Sequence, residues 1–249
     1  MHDANGAALR WSSGLTVLLA CIAAPTSFAR PEPLPPGADT CTEDAMIVFD
    51  GSGSMQRLAY SGETRMTLAR AAADAVVPAA ARTRRLGLAV YGPGGGPDCS
   101  NFRVRIPPMH DAAAPILAEI ADLTTAGETP LTSAVEQSAM MLGWPATPQT
   151  IVVVTDGDEN CGGDPCALGR RLASAGSHVK VHVVSFRTGT LPRFRAQCLA
   201  EETGGHFIPT ETLEELVEAL SRVLVCPQVA AADAQTLTGR GRTARSTSR

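Results

Sequence analysis

Lysine is almost absent from this chain: Lys180 stands alone among 21 basic residues, and the other 20 are arginine. That bias reads as a GC-rich coding sequence and assigns no function. Charge of either sign is scarce, 18% of residues against roughly 25% in an average soluble domain. So low a content argues against a disordered chain or a coiled coil and suits a compact α/β domain with buried strands. Aromatics make up only 4%, and Tyr91, Trp144 and the few phenylalanines read as core or rim residues. The net charge of −4 and pI near 5.7 argue against nucleic acid as a partner. What is present is a 44% hydrophobic content over 249 residues, enough for one large core or two small ones. The cysteine count is seven, and an odd number needs an explanation.

The N-terminus supplies one. Residues 1–29 carry Arg10, an 11-residue apolar run from Gly14 to Ala24, Pro25, and the small-x-small tripeptide Ser27-Phe28-Ala29. These are the three parts of a signal peptide, with cleavage expected after Ala29. The run is too short for a membrane anchor, which needs about 20 residues. Leu18-Leu19-Ala20-Cys21 also approaches a lipoprotein site, so a lipid anchor at Cys21 is the alternative. Cleavage at Ala29 removes Cys21 and leaves six cysteines in a periplasmic or extracellular, oxidising compartment. No later segment is long and apolar enough to span a membrane.

Residues 30–40 are proline-rich and read as an extended linker. Residues 229–249 are small, polar and arginine-dotted, and read as a disordered basic tail. Between them, 41–228 reads as one domain. Short apolar runs predict strands at Ala45–Asp50, Leu86–Tyr91, Ile151–Thr155, Val179–Phe186 and His206–Pro209. Phe102–Ile106 is more polar and fits an antiparallel edge. Helices are predicted at Met66–Ala81, Asp111–Leu123, Pro130–Leu142, Asp164–Ala175, Arg193–Thr203 and Thr212–Leu224. Thr129 is the expected N-cap of the third, with Pro130 as its first residue. Continuous apolar strands alternating with helices imply an α/β, doubly wound, mainly parallel sheet covered on both faces. Its chemistry should lie beyond the strand carboxyl ends, where strand order reverses.

Two predicted strands end in aspartate, Asp50 in DGSGSM and Asp156 in TDGDEN. Asp50, Ser52 and Ser54 alternate along a glycine-loosened loop, so their oxygens can converge. Hard oxygens suit Mg²⁺ or Mn²⁺, and a cation would relieve repulsion between the carboxylates. The plain alternative has both aspartates capping helices and the serines forming a turn.

Asp50-Gly-Ser52-Gly-Ser54, Thr129 in GETPLTSA and Asp156 in VVVTDGDEN together resemble the metal-ion-dependent adhesion site of von Willebrand factor A (vWA) domains. All five positions match in order and in strand-and-loop context, and the resemblance covers roughly residues 43–225. VKVHVVSF and AEETGGHF are similar to the bacterial secreted branch of that family. The resemblance implies a Rossmann-like, six-stranded vWA fold. It also implies Ser52, Ser54 and Thr129 as inner metal ligands, with Asp50 and Asp156 acting largely through water. A partner protein would then donate a carboxylate to the metal, making the site one for adhesion-type binding and not for catalysis. In some relatives the last helix, here Thr212–Leu224, switches conformation.

Other chemistries fit less well. Asp156, Asp158, Asn160 and Asp164 imitate an EF-hand loop, but Cys161 and Ala167 stand where glycine and glutamate are required. A haloacid-dehalogenase-type phosphatase needs a second aspartate where Ser52 stands. Neither Ser52 nor Ser54 lies in a G-x-S-x-G elbow. His110, His178, His182 and His206 form no H-E-x-x-H set, and GPGGGP at 92–97 opens no helix. A metal-dependent hydrolase would have only Asp158 and Glu159 as candidate bases. A structural subunit of an envelope complex with an idle metal site is the remaining alternative.

Of the six mature cysteines, Cys41 and Cys226 flank the domain, and some members of the resembled family join these ends. Such a bridge closes about 185 residues, worth about 4–5 kcal/mol by chain entropy. Cys99, Cys161, Cys166 and Cys198 allow three pairings. Cys99–Cys161 with Cys166–Cys198 is favoured, and a four-cysteine zinc site, lacking C-x₂-C spacing, is the runner-up.

Overall fold

The computed structural model describes residues 43–94, 99–174, 178–186 and 195–226. The expected signal peptide, proline-rich linker and basic tail lie outside these residues, as do Cys21 and Cys41.

Six strands form one sheet: β1 Ala45–Asp50, β2 Leu86–Tyr91, β3 Phe102–Met109, β4 Gln149–Thr155, β5 Val179–Phe186 and β6 Phe207–Thr210, in the order β3-β2-β1-β4-β5-β6. All neighbours pair in parallel except β2 and β3. β1, β2 and β4 are buried along their whole length, as continuous apolar runs in a doubly covered sheet should be. β3 alternates half-buried and exposed residues. It runs beyond the expected Ile106 through Pro107 and Pro108, because an edge strand tolerates residues without an N–H.

Among the described residues, six α-helices cover the sheet: α1 Arg65–Ala81, α2 Ala113–Asp122, α3 Leu131–Met141, α4 Pro165–Ser174, α5 Arg195–Glu202 and α6 Leu213–Leu224. Strand side chains alternate between two cores. Ala45, Ile47 and Phe49 of β1 pack with α1, α2 and α6, while Met46 and Val48 pack with α3, α4 and α5. α6 buries Leu216, Ala219, Leu220, Val223 and Leu224, and starts with a capping box between Thr212 and Glu215.

One expectation is corrected. α3 begins at Leu131 with Pro130 in the cap position, so Thr129 is not its N-cap and Pro130 is not its first residue. The Glu159 carboxylate takes over the cap by accepting from Thr132 N at 2.7 Å. Thr129 is thereby left outside the helix.

Strand order steps outward from β1 through β2 to β3, and from β4 through β5 to β6. The switch point therefore lies between the carboxyl ends of β1 and β4.

Candidate metal centre

Asp50 is the last residue of β1, and Asp156 follows the last residue of β4. Both side chains are buried. The turn after Asp50 is pinned on two sides. Gly51 N donates to Tyr91 O at 2.8 Å and Gly53 N to Gly127 O at 3.1 Å, while Gly51 O accepts from Ala126 N at 2.9 Å. The approach to β2 is so close that a Cβ on Gly92 would sit 2.5 Å from Ser52 N, and Gly92 has φ +86°. The loop leading to Thr129 is thus tied to the loop carrying the two serines.

The five sequence-selected side chains are brought together here. Asp50 Oδ1 accepts from Ser52 N at 2.8 Å. Ser52 Oγ and Ser54 Oγ lie 3.0 Å apart, and Ser54 Oγ donates to Asp156 Oδ1 at 2.5 Å. Thr129 enters from the opposite loop. A Cβ built on Gly157 would lie 3.4 Å from Ser54 Oγ and 3.6 Å from Thr129 Oγ1, so both hydroxyls border the space that Gly157 leaves open. Ser54 and Gly157 are half-buried, and the remaining four groups are buried.

Burial and the neighbouring Asp156 charge raise the Asp50 carboxyl from 3.8 to about 6, against hydrogen bonds from Ser52 and Thr155 that favour ionisation. The Thr155 hydroxyl donates to Asp50 Oδ2 at 2.7 Å and accepts from the Tyr91 hydroxyl at 3.0 Å. Burial, with the Asp50 charge beside it, pushes the Tyr91 phenol well above its ordinary value. Asp156 has a cationic partner that the motif does not include: Arg65 Nη1 donates to Asp156 Oδ2 at 2.5 Å. Thr155, Tyr91 and Arg65 were not singled out as site residues from sequence. Only the position of Arg65 on the first turn of an alanine-rich helix, a turn that holds no acidic residue, sets it apart.

The loop after Asp156 braces the site. Asn160 Oδ1 accepts from Thr129 N at 2.7 Å. Glu159 accepts from Cys161 N and Thr132 N, both at 2.7 Å. Asp158 meets Arg195 N at 3.3 Å and Arg195 Nε at 3.4 Å, and Asp164 accepts from Ala167 N at the start of α4. The four oxygen-bearing residues of the EF-hand-like stretch thus have separate tasks. Disulfides hold both ends of this segment: Cys99–Cys161 ties it to the β2–β3 loop, and Cys166–Cys198 joins α4 to α5. This is the favoured one of the three pairings, and no four-cysteine cluster forms from these residues. Cys226 is also disulfide-bonded.

Among the described residues, no three His, Cys, Asp or Glu side chains gather as a metal-ligating group. His182 and His206 approach at 5.3 Å between ring centroids. A cation at the switch point would therefore rest on three hydroxyls and two carboxylates. That donor set is all hard oxygen and suits Mg²⁺ or Mn²⁺. The space at Gly157 and the elevated Asp50 also fit a cation beside the carboxylate pair.

Residues 45–159 match the family model of the von Willebrand factor type A domain. The uncharacterized protein YwmD of Bacillus subtilis (strain 168) is 25% identical over 218 residues, covering 84% of this chain and 93% of that protein. The PilB minor pilin of Streptococcus sanguinis has a similar structure, with TM-score 0.56 and 15% identity over 72% of this chain and 60% of the pilin chain. Proximal thread matrix protein 1 of the mussel byssus, in a structure with a zinc-occupied MIDAS motif, gives TM-score 0.50 and 17% identity over 74% and 46% of the two chains. This chain spans less than two thirds of either solved protein, and at these identities the likeness is one of fold. Residues 45–159 are thus similar in sequence to von Willebrand factor type A domains, and the fold is similar to that of the two solved proteins.

Proposed function

We propose that this is an exported protein whose vWA domain binds another protein through a divalent cation, Mg²⁺ or Mn²⁺. The observation that carries the reading is the convergence of Ser52, Ser54 and Thr129 with the buried carboxylates Asp50 and Asp156 at the switch point. Ser52, Ser54 and Thr129 would be the inner ligands, and Asp50 and Asp156 the charge-balancing outer ones. When bound, the cation would offer a coordination position to a carboxylate of the partner. The protein's own contribution is rigidity. The glycine turn is tied to β2 and to the 126–127 loop, and Asn160 and Glu159 hold Thr129 and the start of α3. The chemistry of relatives supports the reading in one respect: the byssal protein's structure carries zinc at a site of this name.

Binding is favoured over catalysis because the acids nearest the site have structural partners. Glu159 accepts two backbone N–H groups, and Asp158 faces Arg195. Export, with a periplasmic or extracellular location and a lipid anchor at Cys21 as the alternative, agrees with the two disulfides bracketing the site loop.

The test is calorimetric titration of the mature protein with Mg²⁺ and Mn²⁺, beside Asp50→Ala and the double variant Ser52→Ala/Ser54→Ala. Saturable binding by the wild type alone is expected, and equal behaviour of all three proteins ends the metal reading. A pull-down from the native envelope or medium, with and without chelator, then tests whether a protein partner departs with the metal.

A further inference from the structure

Arg65 is placed against the usual electrostatics of a helix. It is the first residue of α1, where the helix dipole is positive and a cation is disfavoured. Its side chain is nevertheless nearly buried, and the buried Asp156 carboxylate receives its guanidinium at 2.5 Å. Removing both charges from water is costly unless each neutralises the other. Asp156 divides its two oxygens, Oδ1 to Ser54 Oγ and Oδ2 to Arg65 Nη1. Each is therefore engaged before any cation arrives. The backbone fixes the root of this arm, since Arg65 N donates to Arg57 O at 3.0 Å and Thr64 caps the helix.

Counting charges shows what the arrangement does. Two aspartates and one arginine leave the cluster at −1. A divalent ion brings it to +1, and one ligand carboxylate returns it to neutrality. Without Arg65 the ion alone would neutralise the two aspartates. We propose that Arg65 is a built-in counter-cation: it holds the carboxylate pair assembled without metal and restrains the affinity of the site for a divalent ion. The proposal rests on the metal reading above and names a residue that sets the strength of that site.

The experiment is Mn²⁺ calorimetry and thermal unfolding, in chelator and in saturating Mn²⁺, on the wild type, R65Q and R65K. A unit charge a few ångströms from a dication repels it by about tenfold in affinity even with water-like screening. R65Q should therefore bind Mn²⁺ about tenfold more tightly or better. It should also melt lower than wild type in chelator and recover most of the difference when Mn²⁺ is added. R65K keeps the charge and should stay within about threefold of wild type. Wild-type binding with R65Q equal or weaker overturns the proposal and leaves the metal reading standing. Absence of binding by wild type and both variants removes the metal reading and the proposal together. If R65Q cannot be recovered without metal, it is purified in Mn²⁺: recovery only with Mn²⁺ supports the proposal. Failure in both conditions, with R65K binding more weakly than wild type, overturns it.

Discussion

Asp50→Asn should stabilise the metal-free protein while abolishing its response to divalent cations. The folded-state carboxyl titrates at about 6 against an ordinary 3.8, because burial and Asp156 oppose its charge. Below about pH 4 the group is protonated in both folded and unfolded chains and contributes no penalty. Between about pH 4 and 6 the folded state holds the proton that the unfolded chain has released. Stability therefore falls as pH rises through this window, and the penalty is complete above it. At 1.36 kcal/mol per tenfold the interval corresponds to about 3 kcal/mol. The amide keeps an oxygen for Ser52 N, and its NH₂ can donate to Thr155 Oγ1, whose own proton turns to Gly157 O at 3.0 Å. Thr155 Oγ1 already accepts from the Tyr91 hydroxyl and from Gly157 N, so one of these bonds is given up at about 1 kcal/mol, and about 2 kcal/mol of the penalty should be recovered. For a domain of this size 1 kcal/mol is about 2–4 °C, so the variant should melt roughly 4–8 °C above wild type in chelator at pH 8. The two curves should converge near pH 4. Adding Mg²⁺ at about 100 times its Kd should raise wild type by about 2.7 kcal/mol and leave the variant unmoved. Scanning calorimetry from pH 4 to 8, with chelator and with Mg²⁺, measures all of this. A variant that melts below wild type in chelator at pH 8, or a difference that does not vary with pH, refutes the reasoning.

Gly157→Ala should leave stability within about 1 kcal/mol of wild type, as its Cβ makes ordinary contacts at 3.4 and 3.6 Å. It should nevertheless weaken Mg²⁺ binding about tenfold by narrowing the space between Ser54 and Thr129, and calorimetry compares the two effects directly. The double change Cys99→Ser/Cys161→Ser opens a loop of sequence separation 62 and should cost about 4 kcal/mol in denaturant unfolding; unchanged stability would contradict the bracing role. Glu159→Ala leaves Thr132 N and Cys161 N without their carboxylate. It should cost about 1–3 kcal/mol, read from urea midpoints, with a fall in Mg²⁺ affinity smaller than that from Gly157→Ala.

How far the site could be read in advance depends on the range of each interaction. AMIVFD and IVVVT are apolar runs ending in aspartate or at its threshold, so their strand nature and the placing of Asp50 and Asp156 follow from local pattern. The serines are close in sequence to Asp50, and their alternation is a local property too. α3 shows the limit. Thr-Pro is a fair helix-start signal, but the start was set by Glu159, 27 residues from Thr132, and no local rule includes that contact. Arg65 shows it again, since its partner lies 91 residues away.

By itself, then, the sequence determined the α/β alternation, the two acidic strand ends, the hydroxyl loop, and a cysteine set consistent with three pairings. Each of these depends on periodicity, on residue type, or on spacings of a few residues. Tertiary structure alone decided which cysteines meet, that Thr129 leaves the helix cap to face Ser54, and that Asp156 shares its carboxylate with Arg65. The reason is physical. Burial desolvates Asp50 and Asp156 together, and once desolvated their charges must be met by groups the sheet brings from distant parts of the chain.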